Sequence, residues 1–133
     1  PANLIVRRNN KVELRHSGYD REMNVPFLSG CFMFLRVSAL KSEGIFDERF
    51  FMYMEDVDLT RRLHAKHKTL FYPSVSIYHR FSRLSYHKWK LSLAHMASVV
   101  KYFNKWGWIY DSSRRRFNKT LLKEIKQQTK NED

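Results

Sequence analysis

With 133 residues, 43% hydrophobic and 29% charged, the chain has the composition of one small globular domain rather than a disordered segment. A single cysteine, Cys31, excludes an internal disulfide; no apolar run approaches the length of a bilayer span, and no basic-then-apolar leader opens the sequence, so the chain is expected to be soluble by itself. The formal net charge of +12 is uneven, because from Arg80 onward thirteen Lys and Arg stand against Asp111, Glu124, Glu132 and Asp133, a field that would attract nucleic acid, phosphorylated sugars or anionic lipid head groups.

In chain order, residues 4–8 and 11–15 are β-prone and separated by Asn9-Asn10, which tolerates the positive φ of a hairpin turn. A polar, turn-like stretch follows at 17–24. Residues 25–36 are almost continuously apolar, as expected of a strand covered on both faces, with Cys31 packed inside it and Ser29-Gly30 interrupting it. Ser38 can cap a short helix that ends at Gly44. The next helix is expected over 55–66, with Val57, Leu59 or Leu63 inward and Arg61, Arg62 and Lys66 outward. Strands are expected at 70–72 and 75–80, around Pro73. Residues 86–105 carry Trp89, Leu93, Met96, Val100 and Phe103 at three-to-four spacing, which predicts an amphipathic helix with those residues inward. A last, mostly polar helix over 118–130 is expected to fray.

The acids gather in one place. Positions 43–58 hold Glu43, Asp47, Glu48, Glu55, Asp56 and Asp58, six of the chain's thirteen, beside Arg49 and among Phe46, Phe50, Phe51, Met52, Tyr53 and Met54. Acids favour the first turn of a helix, where they meet unpaired N–H groups and the positive end of the dipole, so spacing alone fits capping. It does not explain the apolar wall that precedes them.

The wider pattern does. Ser29-Gly30-Cys31-Phe32-Met33, then Gly44-Ile45-Phe46-Asp47-Glu48-Arg49-Phe50-Phe51, then Glu55-Asp56-Val57-Asp58-Leu59 through Arg62, and finally His79, resemble in order and spacing the acceptor-side half of family 2 glycosyltransferases, especially the rhamnosyltransferase-like members. The resemblance covers about residues 27–108. It implies an α/β fold, the C-terminal portion of a GT-A glycosyltransferase with a short mixed sheet and packed helices. Residues 1–110 would form the acceptor-side part and 111–133 a basic C-terminal helical tail. The implied activity is inverting transfer of a sugar from a nucleotide-sugar donor to a saccharide or lipid-linked acceptor, in bacterial cell-envelope polysaccharide synthesis. The implied place is the cytoplasm, with peripheral contact at the inner face of the membrane as a compatible addition.

Such a transfer needs a cation or its equivalent at the departing diphosphate, a base for the acceptor hydroxyl, and a pocket that excludes water. The resemblance assigns the base to Asp56 and acceptor positioning to Glu55. Ser29 and Gly30 are read as substrate-binding where the backbone can approach a ligand, although a bulge fits equally. Arg80 and Arg83 have guanidinium geometry suited to diphosphate oxygens, although solvated loop arginines are commoner. His79 would be a ligand to a divalent metal, Mn²⁺ or Mg²⁺, although a His that hydrogen-bonds at a strand end fits it equally. Both Glu55 and Asp56 are expected at a helix N-terminus facing a cleft. His64, His67, His87 and His95 read as surface or helix-face residues. The sequence departs from the family in its front half, because the nucleotide-binding region and its Asp-x-Asp motif are not visible; Asp56-Val57-Asp58 lies inside the acceptor motif. By itself the chain is therefore expected to be inactive and to bind nucleotide sugars weakly. Two other readings stay open: a basic nucleic-acid-binding module using the helix from Tyr86 and the tail from Arg114, and a membrane contact through Trp89, Trp106, Trp108 and flanking lysines.

Overall fold

The computed structural model describes residues 14–79 and 89–130. After a 3₁₀ turn at Arg15–Ser17 come β1 (Met23–Asn24), α1 (Val37–Glu43), α2 (Glu55–His64), β2 (Leu70–Phe71), α3 (Trp89–Trp106) and α4 (Ser112–Lys130). The fold is α/β, but its sheet among the described residues is two-stranded and purely antiparallel rather than mixed, with Met23 opposite Phe71 and Asn24 opposite Leu70. The Val25 N–H donates to the Thr69 carbonyl at 2.9 Å and extends the ladder by one bond.

The two ends of the described chain meet on this small sheet. Met23 and Val25 form a buried cluster with Leu121 and Ile125 of α4, and Leu14, Leu28 and Phe71 pack against it. The last helix thus starts at Ser112 and is anchored by two buried side chains, where a fraying polar tail was expected. A second cluster joins Ala39 of α1 to Leu59 and Leu63 of α2. The α1 terminus follows its sequence signal, since Gly44 (φ 82°) stops the helix and its N–H returns to the Leu40 carbonyl at 2.8 Å. Arg62 then supplies donors to the carbonyls just past the helix end, those of Glu43, Gly44 and Ile45.

Between these clusters the centre is polar. Arg61, expected outward, is buried: its guanidinium makes a two-pronged pair with Asp111 (2.6 and 2.5 Å), bonds the Tyr102 hydroxyl at 3.1 Å and stacks 4.0 Å from the Trp106 ring. The two side chains are 7% and 2% exposed. Asp58, wholly buried, accepts from Trp106 Nε1 at 2.7 Å, Lys105 Nζ at 2.7 Å and Arg62 Nε at 2.9 Å. Burial opposes the charge on Asp111, but the Arg61 bonds and the Arg114 N–H (2.9 Å) outweigh it and hold its carboxyl below the ordinary carboxylate range.

These partners turn α3 over. Its inward face is Ser98, Tyr102, Lys105 and Trp106, while Trp89, Leu93, Met96 and Val100, expected in the core, are exposed. Two other expectations also fail. Residues 25–36 form no strand, and Phe27, Phe32, Phe34 and Cys31 are exposed; an apolar run becomes a buried strand only where neighbours complete its ladder, and β2 reaches no further than Thr69. Residues 75–79 are likewise irregular, so His79 does not end a strand. The hairpin expected at 4–15 lies mostly outside the described residues, and its described end, Leu14–Arg15, enters the 3₁₀ turn instead.

Two predictions follow from the packing. Asp111→Ala leaves a buried guanidinium without its carboxylate and is expected to cost about 3–5 kcal/mol, read by urea denaturation; a loss below about 1 kcal/mol would show that the pair is not a keystone. His64 is held below the ordinary histidine value by burial; its Nδ1 lies 2.6 Å from the Thr69 hydroxyl, which in turn donates to Val25, and its ring meets Phe117 edge-on. Because the folded pKa is lowered, the unfolded chain takes up the proton first as pH falls below about 6.5. Thermal stability is therefore expected to fall from about pH 7.5 to about pH 5.5, and His64→Gln to flatten that slope.

Candidate functional site

The carboxylate pair begins α2, and its approach is strained. Tyr53 (φ 61°) and Met54 (φ 66°) are consecutive left-handed residues with full side chains, each costing about 1–3 kcal/mol. They lead directly into α2, with Glu55 the first helical residue and no side-chain cap bond from Met54 at the N-cap. Phe50 of the preceding aromatic run is buried, with Lys105 5.8 Å from its ring, whereas Phe51 is exposed. Tyr53 packs against the His95 ring of α3 at 4.3 Å.

Asp56 reaches away from its own helix. Its Oδ2 accepts the Gly30 N–H at 2.8 Å, across 26 residues, and its Oδ1 accepts the Val57 N–H at 2.8 Å. The Thr60 hydroxyl donates to the Asp56 carbonyl at 2.7 Å and lies 3.4 Å from the Leu28 carbonyl, which ties the loop before Gly30 to the same turn. Glycine at position 30 suits a close approach: a Cβ there would stand 3.0 Å from Asp56 Cβ and 3.3 Å from Oδ2, so Asp56 would have to give by a few tenths of an ångström. Glu55 is half-buried, and its Oε2 is shut away from solvent with no hydrogen-bond partner among the described residues.

The acids of the cluster now separate into two kinds. Glu43 pairs with Lys66 at 3.2 Å, Asp47 with Arg49 at 2.6 Å and Lys105 at 2.8 Å, and Asp58 with Arg62 and Lys105. The Arg49 bond, followed by burial and then Lys105, sets the balance at Asp47, whose carboxyl lies far below the ordinary range. Glu48, which is exposed, and Glu55 and Asp56, which are half-buried, have no ion-pair partner among the described residues. First-turn capping accounts for one oxygen of Asp56, whose Oδ1 takes the Val57 N–H, but not for Oδ2, which reaches a distant loop.

Of the residues singled out in the sequence, Gly30 and Asp56 are therefore in contact, with Glu55 beside them. Ser29 is exposed and its Oγ accepts the Cys31 N–H at 3.5 Å. His79 is exposed, and Arg80 and Arg83 lie outside the described residues. Among the described residues no group of three or more His, Cys, Asp or Glu side chains converges, so a divalent metal would need ligands besides His79. A cleft of about 170 Å³ is lined by Val57, Arg61, Tyr102, Phe27, Arg114 and Phe117; neither Glu55 nor Asp56 lines it. The sequence reading missed His95 against Tyr53 and the burial of His64. The signal was present: His95, Ser98, Tyr102 and Lys105 recur at helical spacing as a second, polar stripe on α3.

Two curated proteins from two strains of Mycobacterium tuberculosis, both described as N-acetylglucosaminyl-diphospho-decaprenol L-rhamnosyltransferase, are 48% identical to the chain over 59 residues. Over those residues the chain is related to a glycosyltransferase. The match takes in 44% of this chain and 19% of each relative, so the chain spans about a fifth of the length of the relatives it matches. No protein-family model matches it, and no solved structure does.

The contact between Gly30 and Asp56 can be checked directly. Gly30→Ala is expected to push the Asp56 carboxylate off the loop and cost about 1 kcal/mol, a Tm fall of roughly 3–6 °C by calorimetry. An unchanged Tm would mean that the loop yields freely.

Proposed function

We propose that the chain is the acceptor-binding and base-supplying portion of an inverting, GT-A-type family 2 glycosyltransferase, and that it works together with a nucleotide-binding half on its N-terminal side. The carrying observation is the carboxylate of Asp56, held by the Gly30 backbone and without an ion-pair partner among the described residues, in a chain related over 59 residues to rhamnosyltransferases. That relationship favours transfer over nucleic-acid binding as the use of the site.

The chemistry asks little more of these residues than they offer. Each Asp56 oxygen accepts one backbone N–H and keeps a lone pair for an acceptor hydroxyl. As the hydroxyl oxygen attacks the anomeric carbon, its proton passes to Asp56. The bond from that carbon to the diphosphate oxygen breaks, and the nucleoside diphosphate leaves with the bonding electrons; one displacement inverts the configuration. Glu55, next to the base, would take a second hydroxyl of the acceptor through its outer oxygen and so fix which hydroxyl faces the base. The printed names of the relatives point to an acceptor carried on a polyprenyl diphosphate. Arg80 would meet the donor diphosphate with guanidinium geometry suited to it. A divalent ion, when bound, would neutralise the leaving diphosphate, with His79 as one ligand beside carboxylates from the other half.

In the complete transferase, Asp56→Asn is expected to lower kcat by about a hundredfold or more, while Glu55→Gln raises the acceptor KM more than it lowers kcat. Steady-state kinetics with the fold monitored by circular dichroism reads both. Near-wild-type turnover in Asp56→Asn would remove Asp56 from the role of base.

A further inference from the structure

The contacts that fold α3 leave its apolar stripe without a partner among the described residues. Trp89, Leu93, Met96 and Val100 recur at four, three and four residues and lie on one face, yet they are 69, 56, 66 and 44% exposed. The face does not end with the helix. Trp108 stacks on Phe103 at 5.1 Å, its indole N–H donates to Asn104 at 2.9 Å, and the exposed Ile109 and Tyr110 follow it. An apolar strip therefore runs the length of an 18-residue helix, about 27 Å, with a tryptophan at each end.

Cations frame that strip. Lys90 Nζ stands 5.8 Å over the Trp89 ring at one end, and the Arg115 guanidinium stands 5.8 Å over the Tyr110 ring at the other. Lys101 lies along one flank, its amine donating to the Arg49 carbonyl. Beyond them α4 exposes Arg116, Lys119, Lys123 and Lys126. Aliphatic side chains with indole ends and basic flanks match the boundary of an anionic bilayer, where acyl chains take the apolar face, Trp sits at head-group depth and Lys or Arg meets lipid phosphate. A nucleic acid would use the charge but not Leu93, Met96 and Val100, and no helix among the described residues is long and apolar enough to cross a membrane.

We infer that the outer face of α3, with the Trp108–Tyr110 loop, is a docking surface for an anionic membrane, on which the protein lies without spanning. The inward Trp106, bonded to Asp58, takes no part, which corrects the expectation that grouped it with Trp89 and Trp108. This surface stands whether or not the transferase reading holds, because it needs no turnover.

The test is flotation of the 133-residue chain with vesicles of phosphatidylglycerol and phosphatidylcholine at about 3:7, against phosphatidylcholine alone. Binding to the anionic vesicles is expected to be at least about 10-fold stronger, and to weaken about 10-fold between roughly 0.05 and 0.5 M salt. The double variant Leu93→Glu/Met96→Glu, at exposed positions that leave the fold intact by circular dichroism, is expected to lower binding by at least about 10-fold. Brominated lipid should quench emission in Trp106→Phe, which keeps both outer tryptophans, and not in Trp89→Phe/Trp108→Phe, which keeps only the inner one. No preference for anionic vesicles, or binding unchanged in the Glu double variant, would overturn the inference. So would a dimer in light scattering that the double variant dissolves, since the stripe would then belong to a second copy.

Discussion

One buried guanidinium organises this fold. Arg61 lies on α2, its carboxylate Asp111 stands just before α4, and the hydroxyl and indole that complete its surroundings, Tyr102 and Trp106, come from α3. Three helices are thus oriented about a single planar group, and a planar fork tolerates little rotation. Desolvating such a pair is costly, and only good geometry with further hydrogen bonds offsets it. The additional bonds to Tyr102 and to the Arg114 N–H are of that kind. Asp58, one turn back on α2, repeats the arrangement with Trp106, Lys105 and Arg62.

This centre decides which way α3 faces. A helix with one apolar stripe would ordinarily bury it, each large side chain gaining about 1.5–3 kcal/mol. Here the other stripe is the one matched to its neighbours, because Tyr102, Lys105 and Trp106 satisfy charges that would otherwise be buried alone. Leaving an ionised group unpaired in the interior costs more than leaving a few apolar side chains in water, so the polar face turns in and the apolar face is free for another partner.

Local signals in the sequence were legible and long-range ones were not. Gly44 marked the end of α1, Glu55 the start of α2, and Leu70 the start of β2, each through chemistry contained within a few residues. The motif residues Gly30 and Asp56 were chosen separately, and the structure brings them into one hydrogen bond. What failed depended on partners far along the chain. Arg61 looked like a solvated helix residue because nothing near it announces Asp111, 50 residues on. Residues 25–36 looked like a covered strand because hydrophobicity says nothing of whether a neighbouring ladder exists; Phe34 ends 97% exposed. On α3 the period was right and the face wrong, since hydropathy ranks side chains by their affinity for water and not by the buried charges they can satisfy.

The same network also explains why the carboxylate pair is placed as it is. Tyr53 and Met54 hold unfavourable backbone angles immediately before Glu55, and such strain persists only where the surroundings fix it. They do: Asp58 is locked by three donors, Thr60 ties the turn to Leu28, and Gly30 holds Asp56 from the opposite side. In a chain with 25 Lys and Arg and 13 Asp and Glu, cations are plentiful, and the neighbouring Glu43, Asp47 and Asp58 have each found one. Among the described residues Glu55 and Asp56 have none. Asp56 is thus oriented by two backbone N–H groups, one from its own helix start and one from the loop at Gly30, and each of its oxygens keeps a lone pair beyond them.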